Sequence, residues 1–219
     1  LVFDMDGVLV DVSDSYRQAI VETVASFTGQ TITKEKIQEY KNQGGWNNDW
    51  ALSQKICADL GVALDYGVVV ERFNELFLGT DGDGLIRRER WISRNGTLER
   101  LAVRYRFGLF TGRSRYEADI TLQRFASGLQ FDPIICADDV VNGKPAPDGL
   151  HEIARRVPGA EMWYVGDTVD DARSASAAGV AFIGIASRTH GHRETLCELF
   201  RRENAIAILE DINQLETVL

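Results

Sequence analysis

Two aspartates, Asp4 and Asp6, stand two residues apart directly behind the apolar run Leu1-Val2-Phe3, and Gly7 follows at once. Side chains at i and i+2 of an extended segment share a face. Just past the end of a buried strand, where glycine turns the chain, such a pair can serve one site with different jobs. One carboxylate beside a divalent cation acts as a nucleophile, because the cation offsets its charge and that of an incoming anion. The other moves a proton. Alone, Asp-x-Asp-Gly is also ordinary turn chemistry.

Three later clusters weigh against the plain turn. Phe107-Gly108-Leu109-Phe110 runs into Thr111-Gly112-Arg113-Ser114, Gly143-Lys144-Pro145-Ala146-Pro147-Asp148 opens a helical stretch, and Met162-Trp163-Tyr164-Val165 runs into Gly166-Asp167-Thr168-Val169-Asp170-Asp171. Each sits at the end of an apolar run or the start of a helix, where open α/β sheets place their ligand crevice.

With these four motifs, in this order across residues 3 to 171, the chain resembles the haloacid dehalogenase superfamily of phosphatases and phosphotransferases, in its capped, phosphoglycolate phosphatase and beta-phosphoglucomutase-like branch. The resemblance implies that Asp4 attacks phosphorus and that Asp6 protonates the leaving alcohol and later deprotonates water. The dehalogenase branch replaces the second aspartate, so Asp6 implies phosphoryl chemistry. Thr111 and the Gly112 amide match the phosphate-binding second motif, and Lys144 the lysine that neutralises nucleophile and phosphate. Asp167 and Asp171 match the group that holds Mg²⁺ with Asp4 and the Asp6 carbonyl. Family spacing favours Asp171 over Asp170, which can instead serve the positive end of a helix dipole. Arg113, also a candidate for substrate contact, and Arg115 either add charge at the site or are solvated surface arginines, and Asp138-Asp139 reads as loop charge.

Composition bounds the rest. The 219 residues are 44% hydrophobic, ample for a core. A net charge of −9 argues against a nucleic-acid or anionic-membrane surface, so an anionic substrate needs a local positive site. No stretch reads as a membrane span or signal peptide. Cys57, Cys136 and Cys197 lie far apart and read as idle thiols of a reducing cytoplasm. His151, His190 and His192 show no metal-ligand spacing of a helix pair. The chain opens in mid-strand, so further residues are expected upstream.

These motifs need a scaffold of the α/β class, a Rossmann-like parallel sheet with an inserted small helical cap. The cap reads as 12–90, with helices near 15–28, 34–41, 48–60 and 66–78 divided by glycines. The core reads as 1–11 and 91–219: helix 96–105, strand 107–110, helix 115–126, strand 133–136, helix 148–156, strand 162–165, helix 169–178, strand 180–185, then strand 205–209 and helix 211–218.

Specificity is expected from the cap. In capped relatives a glycine-bearing loop between early cap helices enters the active site, and Gly45, Trp46 and Asn47 fall there. Trp46 suits stacking on a ring or sugar, or else packing of the bundle with Trp50; Asn48 or Asp49 suits a helix cap. Arg17 is a second candidate, for a carboxylate or second phosphate. The partner is then a small phosphorylated metabolite, and oligomeric state is not encoded legibly. A phosphomutase would use the same residues, phosphonate cleavage would need a cap lysine, and a non-catalytic module of a fused protein would need none of them.

Overall fold

The computed structural model describes residues 1–46, 48–80, 83–188 and 192–219. In chain order its strands and α-helices are β1 (Val2–Phe3), β2 (Val10–Asp11), α1 (Tyr16–Thr28), α2 (Lys34–Gln43), α3 (Asp49–Asp59), α4 (Tyr66–Leu78), β3 (Arg90–Trp91), α5 (Thr97–Ala102), β4 (Phe107–Phe110), α6 (Arg115–Phe125), β5 (Phe131–Ile135), α7 (Asp148–Arg156), β6 (Trp163–Gly166), α8 (Val169–Ala178), β7 (Ala181–Ile185), α9 (Arg193–Arg202) and β8 (Ala207–Leu209). Contacts divide them into two compact units, Leu1–Val10 with Trp91–Leu219, and Asp11–Arg90.

The first unit is a six-stranded parallel sheet in the order β5-β4-β1-β6-β7-β8. From β1 the chain builds outward through β4 and β5, then returns to β1's other side and builds through β6, β7 and β8. That reversal at β1 is the place where an open α/β sheet leaves a crevice beyond its strand ends. The register sets Phe3 beside Leu109 and Val165, and Val165 beside Ile183, so these buried side chains share one face. Val2, Phe110, Tyr164 and Phe182 turn to the other, where Leu150 and Ile153 of α7, Ala172 and Ala175 of α8, and Leu196 and Phe200 of α9 cover them. Both faces are covered, which is why the strands read as continuous apolar runs.

The structure departs from the sequence reading at several elements. Strand β5 begins two residues earlier than expected and contains Pro133. It lies at the sheet edge, where a missing backbone donor is tolerated. Helix α9 was not anticipated, although Leu196, Cys197 and Phe200 mark a buried stripe at helical spacing. Ile212–Thr217 forms a 3₁₀ helix where an α-helix was expected, and α5 stops at Ala102.

In the second unit, α1 packs on α3 and α4. Tyr16 lies 4.0 Å from Phe77 and 5.7 Å from Phe73 between ring centroids, and Trp50 meets Phe73 edge-on at 6.4 Å. Trp50 is thus a bundle side chain. Asn48 caps α3 by accepting from the Ala51 amide at 2.9 Å. Lys41 pairs with Asp49 at 2.7 Å and ties the end of α2 to the start of α3. No helix among the described residues is long and apolar enough to cross a membrane.

Candidate active site

The side chains predicted to do chemistry gather at the strand ends beside β1. Asp4 follows β1 directly, held by its amide on the Val165 carbonyl at 2.8 Å. Thr111 follows β4 and Asp167 follows β6. Between Met5 and Val10 the chain turns tightly: Leu9 and Val10 amides donate to the Met5 carbonyl, and Gly7 donates to Val10. Gly7 has φ +74°, and a β-carbon there would stand 1.9 Å from Asp167 Oδ2. Glycine therefore serves twice, for the left-handed backbone and for the close approach of a carboxylate.

At the centre Lys144 Nζ donates to Asp4 Oδ1 at 2.8 Å, to Asp171 Oδ1 at 2.6 Å and to the Tyr164 hydroxyl at 2.9 Å. The Tyr164 hydroxyl in turn donates a hydrogen bond to Asp171 Oδ1 at 2.7 Å. Asp171 Oδ2 receives the Thr168 amide at 2.9 Å and hydroxyl at 2.6 Å, while Thr168 caps α8 by accepting from the Asp171 amide. Four donors converge on Asp171, so burial alone would raise its pKa but Lys144 and these hydrogen bonds hold it below the usual carboxylate range. Asp171, rather than Asp170, is the residue turned to Lys144. Asp170 is buried separately, 3.9 Å from Arg173.

Asp4 is in the opposite condition. Burial pushes its pKa well above the usual range; Lys144 counters this, but Asp171, Asp167 and Asp6 add to it. Burial disfavours the Lys144 ammonium too, yet Asp171 and Asp4 outweigh it and hold its pKa up. Lys144 is shared between Asp4 and Asp171. Among the described residues Asp4 Oδ2 has no hydrogen-bond donor. Asp4, Asp167 and Asp171 each offer an oxygen within 4.8 Å of one another. A set of carboxylates with too little positive charge fits a hard divalent cation.

Asp6 lies at the edge of this cluster, one-third exposed. Arg113 Nε reaches its Oδ1 at 2.8 Å and Nη2 the same oxygen at 2.6 Å. Arg113 is buried beside Asp6, which favours charge at the site over a solvated surface arginine: the bend after β4 turns it under the site. Its amide donates to Thr111 Oγ1 at 3.2 Å. Gly112 is exposed beside Thr111. Arg115 is paired as well, its amide to Asp138 at 2.8 Å and its guanidinium to Asp139, so those aspartates are joints between α6 and the segment after β5.

Arg17, Gly45 and Trp46 belong to the helical unit. Arg17 is half-buried on the first turn of α1, Gly45 is exposed, and Trp46 meets Tyr40 edge-on at 6.4 Å. Asn47 and His190 lie outside the described residues. The sequence reading missed Tyr164, Thr168 and Thr121. A tyrosine in an apolar strand two residues before a glycine-aspartate turn needs a partner for its hydroxyl, and Thr168-x-x-Asp171 has the spacing of a capping box.

The model of the haloacid dehalogenase-like hydrolase family matches residues 1–185. The chain is 33% identical over 195 residues to an imidazoleglycerol-phosphate dehydratase of Phytophthora nicotianae, covering 84% of this chain and 42% of that protein. It therefore spans less than half of that relative. It is 28% identical to a phosphoglycolate phosphatase of Cereibacter sphaeroides, over 88% of this chain and 86% of that one. Among solved structures, a haloacid dehalogenase-like protein of unknown function from Agrobacterium tumefaciens superposes with a TM-score of 0.71 at 21% identity, over 99% and 95% of the two chains. That last likeness is one of fold.

Proposed function

Because this chain belongs to the haloacid dehalogenase-like hydrolase family, we propose that it is a phosphatase that hydrolyses a small phosphate monoester in two displacements at Asp4. In the first, Asp4 attacks phosphorus, the ester P–O bond breaks, and Asp6 gives its proton to the leaving alcohol. In the second, Asp6 takes a proton from water, which attacks the aspartyl phosphate and frees Asp4 and inorganic phosphate. Lys144 and the Thr111 and Gly112 donors neutralise the phosphoryl oxygens.

The observation that carries this reading is the state of Asp4: buried, fixed through Oδ1 by Lys144, and without a donor on Oδ2 among the described residues. A nucleophile needs that combination of a set direction and a free oxygen. Mg²⁺ would be held by Asp4, Asp167 and Asp171 with the Asp6 carbonyl, and Asp171 would also hold Lys144. When bound, the cation would supply charge compensation between nucleophile and phosphate.

Two substrate classes come first. The 28% identical relatives called phosphoglycolate phosphatases point to a two-carbon acid phosphate. The match within a longer imidazoleglycerol-phosphate dehydratase points to a phosphate monoester carrying an imidazole ring. A reducing, cytoplasmic setting suits three free, buried thiols.

The test is phosphate release from a panel of phosphorylated metabolites that includes both classes, with Mg²⁺ and with EDTA, using wild type and Asp4→Asn. Release that needs the cation and disappears in the variant is the expected result. An undiminished Asp4→Asn sinks the reading, and an isomeric phosphate in place of free phosphate moves the assignment to a mutase.

A further inference from the structure

We infer that Arg113 is a positioning residue that aims Asp6 at the leaving group. This rests on the proposed role of Asp6 as proton donor. The side chain of Arg113 is 0% exposed while that of Asp6 is 30% exposed, so a substrate that reaches Asp6 does not reach the guanidinium.

The geometry makes it an aiming device. Nε and Nη2 converge on Oδ1 of Asp6 at 2.8 and 2.6 Å, whereas Nη1 donates to Thr121 Oγ1 at 2.7 Å on α6. The backbone is fixed by its amide on Thr111 Oγ1 at 3.2 Å and by its carbonyl, which accepts from Ala137 at 2.9 Å. One oxygen of Asp6 is thus tied to the sheet and to α6, and Oδ2 has no hydrogen-bond partner among the described residues. A carboxylate standing in a loop beyond β1 has free rotamers, and this fork removes them. Only a planar guanidinium spans both Asp6 and Thr121; a lysine ammonium is a point charge that serves one of them. An arginine buried this completely is rare and costly to desolvate, so its place needs a reason beyond packing.

The consequence is specific to the leaving group. An alkoxide needs a proton to depart, whereas p-nitrophenolate leaves without one. The experiment measures kcat/KM, which reports steps through leaving-group departure, for p-nitrophenyl phosphate and for an alkyl phosphate that the wild type hydrolyses. The proteins are wild type, Asp6→Asn, Arg113→Lys, Arg113→Met, Thr121→Val and the Asp6→Asn/Arg113→Met double variant.

Loss of aim should cost Arg113→Met about 10- to 100-fold on the alkyl ester and no more than about threefold on p-nitrophenyl phosphate. Thr121→Val should show the same selectivity more weakly, Arg113→Lys should rescue only in part, and the double variant should be no worse than Asp6→Asn. The ratio of the two rates in one sample cancels the fraction of correctly folded enzyme, and Thr121→Val carries the test if the arginine variants do not fold. Equal losses on both esters, or additive losses in the double variant, overturn the inference while leaving the phosphatase intact. A wild type inert to both esters, or an Asp6→Asn without leaving-group selectivity, overturns the reading on which the inference stands.

Discussion

At the scale of single residues, the site is a problem of distributing one ammonium among several carboxylates. Asp171 holds Lys144 with help from Tyr164 and Thr168, so its lowered pKa contributes stability above the ordinary carboxylate value of 3.8, lost as pH falls through the folded value. Asp4 has the opposite sign. Burial and its acidic neighbours raise it, so stability is highest below 3.8 and is lost as pH rises towards the folded value. At pH 7 to 8 without a cation, Asp4→Asn is therefore expected to melt several degrees above wild type, with the gap closing towards about pH 4. Mg²⁺ should raise the wild-type melting temperature more than that of the variant. A wild type that is the more stable protein in EDTA at pH 8 would refute this charge assignment. Removing the shared cation is worse than removing a carboxylate. Lys144→Met strands two buried acids and should cost about 3–5 kcal/mol, against about 1–2 kcal/mol for Tyr164→Phe, which deletes one buried hydroxyl. Urea unfolding would rank the two, and the reverse order would show that Tyr164 organises the cluster.

At the scale of elements, α8 is tied to the site by its own cap. Thr168 accepts from the Asp171 amide while Asp171 accepts both Thr168 donors, so one side chain starts the helix and orients the partner of Lys144. Thr168→Ala should lose about 1–2 kcal/mol and lose activity with it, and Thr168→Ser, which keeps the hydroxyl, should recover both. Unfolding midpoints and phosphate release in the same preparations check this, and a serine variant as impaired as alanine would count against the cap. The capping box, though defined by spacing, was passed over in the sequence; the strand-glycine-aspartate turn was legible there because spacing defines it. The parallel core was legible for the same reason, in apolar runs alternating with helices. Arg113 was not, since nothing in Thr-Gly-Arg-Ser says that the bend turns the arginine under the sheet end toward Asp6, a partner 107 positions away. Helix α9 was overlooked although Gly191 stands just before it in the sequence and Leu196, Cys197 and Phe200 keep helical spacing. The extent of β5 was misjudged because a proline argues against a strand until the strand is known to lie at an edge.

At the scale of the whole molecule, the sheet unit is made of two chain segments, and their ends meet within that unit: the Ile92 amide donates to the Leu9 carbonyl at 2.9 Å. The core cluster of Val2, Phe110, Tyr164, Phe182 and their helices draws on these segments alone, and so do Asp4, Asp6, Thr111, Arg113, Lys144, Asp167 and Asp171. An insertion whose entry and exit are adjacent can be replaced by a short turn, since closing a short loop costs little entropy when its ends already touch. Replacing Asp11–Arg90 with a glycine-containing hairpin turn is therefore expected to leave a sheet unit that unfolds in one cooperative transition, with its three cysteines reduced to Cys136 and Cys197. Both thiols are buried, and burial pushes Cys136 up to about 12, so neither should react with a thiol reagent at pH 8 until denaturant is added. The shortened chain should keep slow, Mg²⁺-dependent hydrolysis of p-nitrophenyl phosphate, because every group that handles the phosphate remains. Its preference among metabolite phosphates should flatten, because the helices expected to read the rest of the substrate are gone. Prompt thiol reaction in the native buffer would mean that the sheet unit needs the helices to fold. A preference unchanged from wild type would place substrate selection in the sheet unit itself, and Arg17, Gly45 and Trp46 would then have no claim on it.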